Sequence, residues 1–481
     1  RTAAPIDLTG YWVSVVTEDW RWRMVTPPKG DYPNIPLNAE GRRVADAWDP
    51  AKDEAAGEQC KSYGAGKVMR QPGRLRITWE NDNTLRIDTD AGTQTRLLHF
   101  GGWKSDGGPP TWQGDSVAQW EIAGGGRGGR GQAAQSRGGD LKVVTSRMRP
   151  GYLQKNGVPY SVNAVVTEYF HRTVEPNGDS WLILTTMVDD RQYLNQTFTR
   201  SSHFKKRLAS AGLLAAAAIA LVNAPAFAQV DFSGEWTPNG NEDSVGNPYV
   251  GDWLGLPMSE AGRARAETWA ASIQTLPEWQ CRPHGWAYIY RGPSQLRISK
   301  EVDPVSRQIT TFHAEWLRSV DIPVYLDGRP RPSVNAAHTW GGFNTGEWLG
   351  DTLKITTTHL KEEYLRRNGV QHSDKVEITT YWMRRGDILT WLNIVYDPVY
   401  LTEPLVRSQE YRLALNQQIP PYPCDVVEEI DRPKGVVPHE LPGTNTFIKE
   451  FADKIHVPEA VIRAGAETMY PEIRAKLGSK P

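Results

Sequence analysis

The chain has very little cysteine: Cys60, Cys281 and Cys424 in 481 residues. That excludes a disulfide-dense scaffold, and the lack of any Cys-x-x-Cys argues against structural zinc. Charge of neither sign is in excess, with 55 basic and 56 acidic residues and a formal net charge of −1. Nothing in that balance calls for nucleic acid or an anionic membrane as partner. The apolar run Leu213–Val222 has 10 residues, about half of the roughly 20 that a spanning helix needs, so no stable membrane span is expected. Gly-x-Ser-x-Gly, a phosphate-binding loop, a dinucleotide fingerprint and His-Glu-x-x-His are all missing. Their absence argues against common hydrolases and nucleotide-dependent enzymes, and no cofactor is expected. A cofactor-independent lyase, isomerase or hydratase stays open, because it needs only one or two placed acids and bases in an apolar cavity.

What is present begins with a leader-like segment in mid-chain. Lys205, Lys206 and Arg207 precede Leu213–Val222, and Ala226-Phe227-Ala228 before Gln229 has the form of a small-x-small cleavage site. Residues 205–228 therefore read as a secretory signal peptide, which implies a periplasmic or secreted bacterial protein. The competing reading is a buried Ala-rich linker helix.

The chain also matches itself. Pro36-Leu37 aligns with Pro257-Met258, Gly41-Arg42 with Gly262-Arg263, Trp48 with Trp269, and Gln59-Cys60 with Gln280-Cys281, all 221 positions apart. The offset is 228 at Trp112/Trp340 and Trp120/Trp348, then 212 at Tyr152/Tyr364, Tyr169/Tyr381 and Asn156/Asn368. The change reflects a Gly/Arg insertion at 124–139 in the first copy, read as a flexible loop and not as an RNA-binding tract. A repeat of this length is a duplicated domain. The expected organisation is a first copy over 1–204, the leader-like segment over 205–228, a second copy over 229–424 and a Pro-rich, helical tail over 425–481. Cys281 and Cys424 would tie the second copy's beginning to its end. Cys60 has no counterpart of Cys424, which suggests that the first copy has lost its natural C-terminal segment and that Arg1 is not a native start.

Each copy opens on a strand carrying Gly-x-Trp, Gly10-Tyr11-Trp12 and Gly234-Glu235-Trp236, followed by a helix entered through Asn38 or Ser259. Beyond Cys60 and Cys281 the text is rich in β-branched and aromatic residues broken by turns such as Asn81-Asp82-Asn83 and Arg385-Gly386-Asp387. The expected fold is mainly β: two homologous antiparallel β-barrels, each with a short N-terminal helix, plus a helical tail. In the tail Phe447, Ile448, Phe451 and Ile455 recur at helical spacing, as in a lid, a dimerisation arm or a helix packed on its own barrel. The Gly-x-Trp on a first barrel strand resembles the lipocalin and wider calycin group. That resemblance implies a barrel with an apolar ligand cavity. The helix ahead of the barrel strands departs from the simple lipocalin order, and the text is also similar to uncharacterised exported proteins of soil bacteria.

The candidate acid–base pair is His313 and Glu315, whose spacing of two places both on one face of a strand. The competing reading is two polar residues on a solvated face. His338 and His372 are placed where they could approach a cavity mouth, but with no diagnostic metal spacing, and no metal site is expected. Glu168 interrupts an apolar strand, where a buried carboxylate would be pushed up. Trp112, Tyr152, Tyr169, Trp340, Tyr364, His372, Tyr381 and Trp391 are the candidate ligand-lining residues, with Trp181 taken as the first-copy match of Trp391. The leading expectation is a small apolar or aromatic ligand, with the two copies partnering each other as a pseudo-symmetric pair. The alternatives are a lyase, isomerase or hydratase confined to the second copy, and a cell-envelope interaction module.

Overall fold

A computed structural model of the chain describes residues 1–481 apart from 3, 25, 123–138, 208–228, 241–250, 254, 270–280, 293, 318–320, 421–423, 426–432, 436–439, 442, 465–470 and 479–481. Residues 124–138 of the Gly/Arg insertion and the apolar and cleavage parts of the leader-like segment thus lie outside the described residues. The chain divides into two compact units. The first holds Arg1–Val15 and Arg21–Gln229, and the second holds Val16–Trp20 and Val230–Pro481.

Each unit is a closed nine-stranded barrel. In the first, the barrel strands are β1 (Gly10–Val15), β2 (Arg74–Asn81), β3 (Thr84–Thr89), β4 (Gln94–His99), β5 (Asp115–Ile122), β6 (Gly139–Ser146), β9 (Val165–Val174), β10 (Ser180–Asp189) and β11 (Phe198–Arg207). A hairpin of β7 (Gly151–Gln154) and β8 (Val158–Tyr160) stands outside it. The second repeats the plan with β12 (Gly234–Pro238), β13 (Leu296–Val302), β14 (Ile309–Trp316), β15 (Ile322–Tyr325), β16 (Phe343–Leu349), β17 (Thr352–Thr358), β20 (Glu377–Arg385), β21 (Ile388–Tyr396) and β22 (Leu405–Leu413). Its outer hairpin is β18 (Glu363–Tyr364) and β19 (Gln371–His372). Closure is complete because β1 pairs with both β2 and β11, and β12 with both β13 and β22. Each barrel has one parallel seam, β4–β5 and β15–β16, in an otherwise antiparallel ring. The long connection before β5 and before β16 lets the chain re-enter from the same end. Nine strands exceed the eight of an up-and-down lipocalin barrel.

The Gly-x-Trp motif has the same structural job in both copies. Gly10 and Gly234 open their strands at φ +120° and +145°, a region open to glycine. Trp12 and Trp236 then turn fully inward, and each indole Nε1 donates to the carbonyl four residues earlier, Leu8 and Phe232, at 2.9 Å. The helices Ala39–Asp46 and Glu260–Glu267 start on the side chains of Asn38 and Ser259, which accept from Gly41 N and Gly262 N. A Cβ on Gly41 or Gly262 would lie 2.3 or 2.4 Å from the carbonyl oxygen of Tyr193 or Tyr400. Close crossing of helix and chain therefore accounts for that matched glycine.

The first barrel is filled by its own side chains, among them Trp12, Ile77, Ile87, Leu141, Phe170 and Leu184. Its last strand runs through Lys205, Lys206 and Arg207, which pair with Val13, Trp12 and Tyr11. The basic start of the leader-like segment is thus a barrel strand, and the first copy extends past residue 204. Strand register also corrects one repeat assignment. Thr185 lies opposite Ser201 in β10–β11 and Leu392 opposite Ser408 in β21–β22, an offset of 207. Trp391 therefore matches Leu184, and Trp181 matches Ile388. The longer turn between β9 and β10 accounts for the shift from 212.

The tail helix Phe447–Ile455 buries Phe447, Ile448, Phe451 and Ala452. Phe447 meets Trp253 edge-on at 5.2 Å, and Arg463 pairs with Glu267 at 2.8 Å. The tail thus packs on its own unit, with its apolar stripe inward. Cys281 and Cys424 form a disulfide, Cα atoms 5.7 Å apart, and Cys60 is a free thiol. No helix among the described residues is long and apolar enough to cross a membrane.

Candidate functional site

The second barrel is stoppered by the short helix Trp286–Ile289, all four of whose residues are buried. Trp286 donates from Nε1 to Thr380 Oγ1 at 2.8 Å, and its ring lies 4.7 Å from Trp391 and 6.0 Å from Trp382. Trp391 in turn donates to Asn393 Oδ1 at 2.8 Å. Just before the helix, His284 is fully buried, its Nδ1 2.8 Å from Glu363 Oε1. Glu363 Oε2 accepts the backbone N–H of Gly285 at 2.7 Å. Tyr288 stacks on the imidazole at 4.1 Å and Trp316 meets it edge-on at 5.5 Å. Across the outer hairpin His372 is the register partner of Glu363. It is fully buried, with Nδ1 2.9 Å from Ser373 O and no hydrogen-bond partner on Nε2 among the described residues.

A carboxylate that fixes one ring nitrogen of a histidine orients the ring and makes the other nitrogen a better base. Both groups sit inside an aromatic shell, where electrostatic effects are strong because water is excluded. The first copy carries Tyr63, Gly151 and Tyr160 where the second carries His284, Glu363 and His372. The exchange is a coupled one. A Cβ on Gly151 would lie 2.6 Å from Tyr160 Oη, so the bulky phenol of the first copy forbids a side chain where the second copy places its carboxylate.

The residues singled out from sequence are distributed differently. His313 and Glu315 do share a face, but Phe312, Ala314 and Trp316 take the inner one. His313 is bound to Asp321 at 2.9 Å and Glu301 at 3.3 Å, and Glu315 to Arg297 at 3.4 Å, on the outer surface of β14. His338 Nδ1 is 2.9 Å from Leu360 O, and its ring lies 5.4 Å from His359. Glu168 is inside the first barrel, held by both terminal nitrogens of Arg96 at 2.6 and 3.0 Å, with both side chains fully buried. Arg96 also reaches Thr145 Oγ1 at 3.3 Å, so the carboxylate that sequence left alone has a cation beside it.

Tyr169 lies outside its barrel beneath Lys142, and Tyr381 takes the face opposite Trp382. Trp112 and Trp340 are half-buried under Arg149 and Lys361 at 4.2 and 5.0 Å. Tyr152 donates to Asp53 at 2.6 Å, and burial pushes its phenol up. Tyr364 meets Trp269 edge-on at 5.0 Å. Of the sequence-selected residues, the structure brings Trp391 to the barrel stopper, His372 to the His284–Glu363 pair and the backbone carbonyl of Trp340 against Gly285.

His284 and Glu363 were missed, although the aligned copies held the signal. Tyr63 becomes His284 at offset 221, and Gly151 becomes Glu363 at offset 212, each inside a matched stretch. Among the described residues no group of three or more His, Cys, Asp and Glu side chains is placed to hold a metal ion. The fold and site define a tandem pair of closed β-barrels with a buried His–carboxylate pair in the second. No protein-family model matches this chain, and no curated protein or solved structure is found similar to it.

Proposed function

We propose that the chain is an exported, calycin-like tandem barrel protein that binds a small, largely aromatic molecule at the helix-stoppered end of its second barrel. The observation that carries this reading is the aromatic wall of Tyr288 and Trp316 around the His284–Glu363 pair. Flat aromatic faces supply affinity for an aromatic ring, and one polar pair fixes its orientation. The divergence of the copies supports it too, since His284, Glu363 and His372 replace Tyr63, Gly151 and Tyr160 on a scaffold that keeps the pairs Trp12/Trp236, Trp48/Trp269, Trp112/Trp340 and Trp120/Trp348. Native mass spectrometry of the full chain exported from a bacterial host tests the reading. An organic mass retained by the folded protein and lost from a Tyr288→Ala variant is the expected result. A ligand-free chain whose tryptophan emission ignores a panel of aromatic compounds would overturn it.

A second reading, a cofactor-independent lyase or isomerase, is favoured by the 2.8 Å contact between His284 and Glu363. In that case His284 would move a proton at a carbon of the bound molecule, with Glu363 stabilising the imidazolium. Solvent deuterium entering the ligand with wild-type protein, but not with His284→Gln, would mark catalysis.

A further inference from the structure

In the second unit the tail covers the end of the helix that precedes the barrel strands. Gly443 N and Arg463 Nη1 donate to the two oxygens of Glu267, each at 2.8 Å. Glu440 N donates to Thr268 O at 3.1 Å, and Asn445 Nδ2 to Trp269 O at 3.0 Å. Phe447 lies over Gly251, so closely that a Cβ there would come 2.5 Å from the phenyl ring. The Cys281–Cys424 disulfide ties the chain just ahead of the tail to the same unit.

The first unit presents the same face without a tail over it. Gly30, Asp46, Ala47 and Trp48 match Gly251, Glu267, Thr268 and Trp269 at offset 221. Gly30 has the left-handed backbone of Gly251, φ +91° against +83°, but a Cβ on it would meet nothing within 4 Å. Asp46 and Ala47 are exposed and Trp48 is half-buried, whereas Glu267 and Trp269 are only 8% and 6% exposed. Tyr32 stands for Trp253, and its hydroxyl donates to Asp46 Oδ1 at 2.8 Å. The exposed Arg42 reaches over the Tyr32 ring at 5.7 Å, so an incoming aromatic ring has to share that face with it. Cys60, at the place of Cys281, is a half-buried free thiol.

We infer that this face of the first unit, Gly30 with Asp46 to Trp48, docks a tail-like segment of a separate polypeptide. That segment has a cysteine, then an amphipathic helix opened by an aromatic residue, then a basic residue. An aromatic ring over Gly30 leaves water for apolar surface, and a basic side chain on Asp46 repeats the Arg463–Glu267 pair. The tail of a second copy is not the occupant, because the one such segment in these 481 residues is held to its own unit by the disulfide. Docking also brings the partner's cysteine to Cys60. With that cysteine held as a mixed disulfide, the Cys60 thiolate attacks its sulfur, the bond between the two chains forms, and the small thiol leaves. The inference does not rest on the aromatic site of the second barrel.

The probe is a fluorescent synthetic peptide of residues 424–464 with its cysteine as the glutathione mixed disulfide, added to the full chain. Anisotropy should show saturable binding, and peptide mapping should then find the peptide on Cys60 with glutathione released. Phe447→Ala with Phe451→Ala in the peptide should weaken binding about tenfold. Asp46→Lys, an exposed position in the protein, should weaken it about threefold or more. Binding to the Cys60→Ser chain should persist, since docking precedes the exchange. Absence of saturable binding, or binding indifferent to both sets of changes, would overturn the inference. So would a peptide that displaces the chain's own tail and leaves Cys60 unmodified. Self-association of the full chain that Phe447→Ala abolishes would give the face to a second copy and overturn the choice of partner.

Discussion

Glu363 holds His284 through Nδ1 at 2.8 Å while its other oxygen takes the N–H of Gly285, so one buried carboxylate fixes both a ring and the start of the stopper helix. Each hydrogen bond to a charged group contributes about 1.5–3 kcal/mol, and a buried group left without its partner costs its full desolvation. Glu363→Gln should therefore lower the stability of the second unit by about 2–3 kcal/mol in urea unfolding of the full chain. A double-mutant cycle with His284→Phe should return a coupling of at least about 1 kcal/mol. Additive losses would mean that the two side chains do not support each other.

The first barrel carries the opposite solution at the equivalent interior position. Arg96 and Glu168 form a fully buried pair where the second barrel has Ile322 and Thr380. Removing one member of such a pair leaves an uncompensated charge, and about 3–5 kcal/mol is the usual cost. Glu168→Gln should approach that figure. Replacing both by the second copy's residues, Arg96→Ile with Glu168→Thr, should recover most of the loss, because neither desolvated charge remains. Thermal unfolding of the three variants checks the ordering, and a double variant no better than the single one would refute it.

The barrels were legible because runs of β-branched and aromatic residues broken by turn signals marked the strands, and matched stretches at stepwise offsets marked the duplication. The parallel seams were not, since strand direction depends on where a long loop returns. The end of β11 was misread because Lys205 and Lys206 look like the basic start of a leader. In the fold their ammonium groups lie over the rings of Trp181 and Trp12 at 5.2 and 5.5 Å, with their stems along the strand. His313 and Glu315 were placed on one face correctly, yet that face is the outer one. The inward set Phe312, Ala314 and Trp316 was equally visible and decides the question. The His284–Glu363 pair joins residues 79 apart, a contact that no local pattern encodes and only comparison of the copies could suggest.

The disulfide distinguishes the two units experimentally. It closes a loop spanning 143 positions in the second unit, while the first has only the free Cys60. In the chain-entropy account a loop of that size stabilises by about 5 kcal/mol. Reduction, or Cys424→Ser, should lower the unfolding midpoint of the second unit and leave the first unit's transition in place. Proteolysis followed by peptide mapping assigns each transition. Equal loss in both units would contradict this.

Glu18 gives the protein a pH dependence of defined sign. Burial pushes its carboxyl from 4.5 up to about 7, outweighing the nearby Arg291 charge that pulls it down, while Asp19 and Glu410 add to the rise. The folded state thus binds this proton more tightly than the unfolded chain does. Its contribution is full below pH 4.5 and is lost as pH rises to about 7, since the folded state must then bury an ionised carboxylate. At about 1.4 kcal/mol per pH unit the swing is on the order of 3 kcal/mol. Glu18→Gln keeps the shape without the titration. The difference in stability between wild type and Glu18→Gln should therefore move against wild type from pH 4.5 to 7, then level off. Urea midpoints across that range measure it. A difference that moves in wild type's favour as pH rises would show that Arg291 and the Ser408 amide hold the ionised form, reversing the sign.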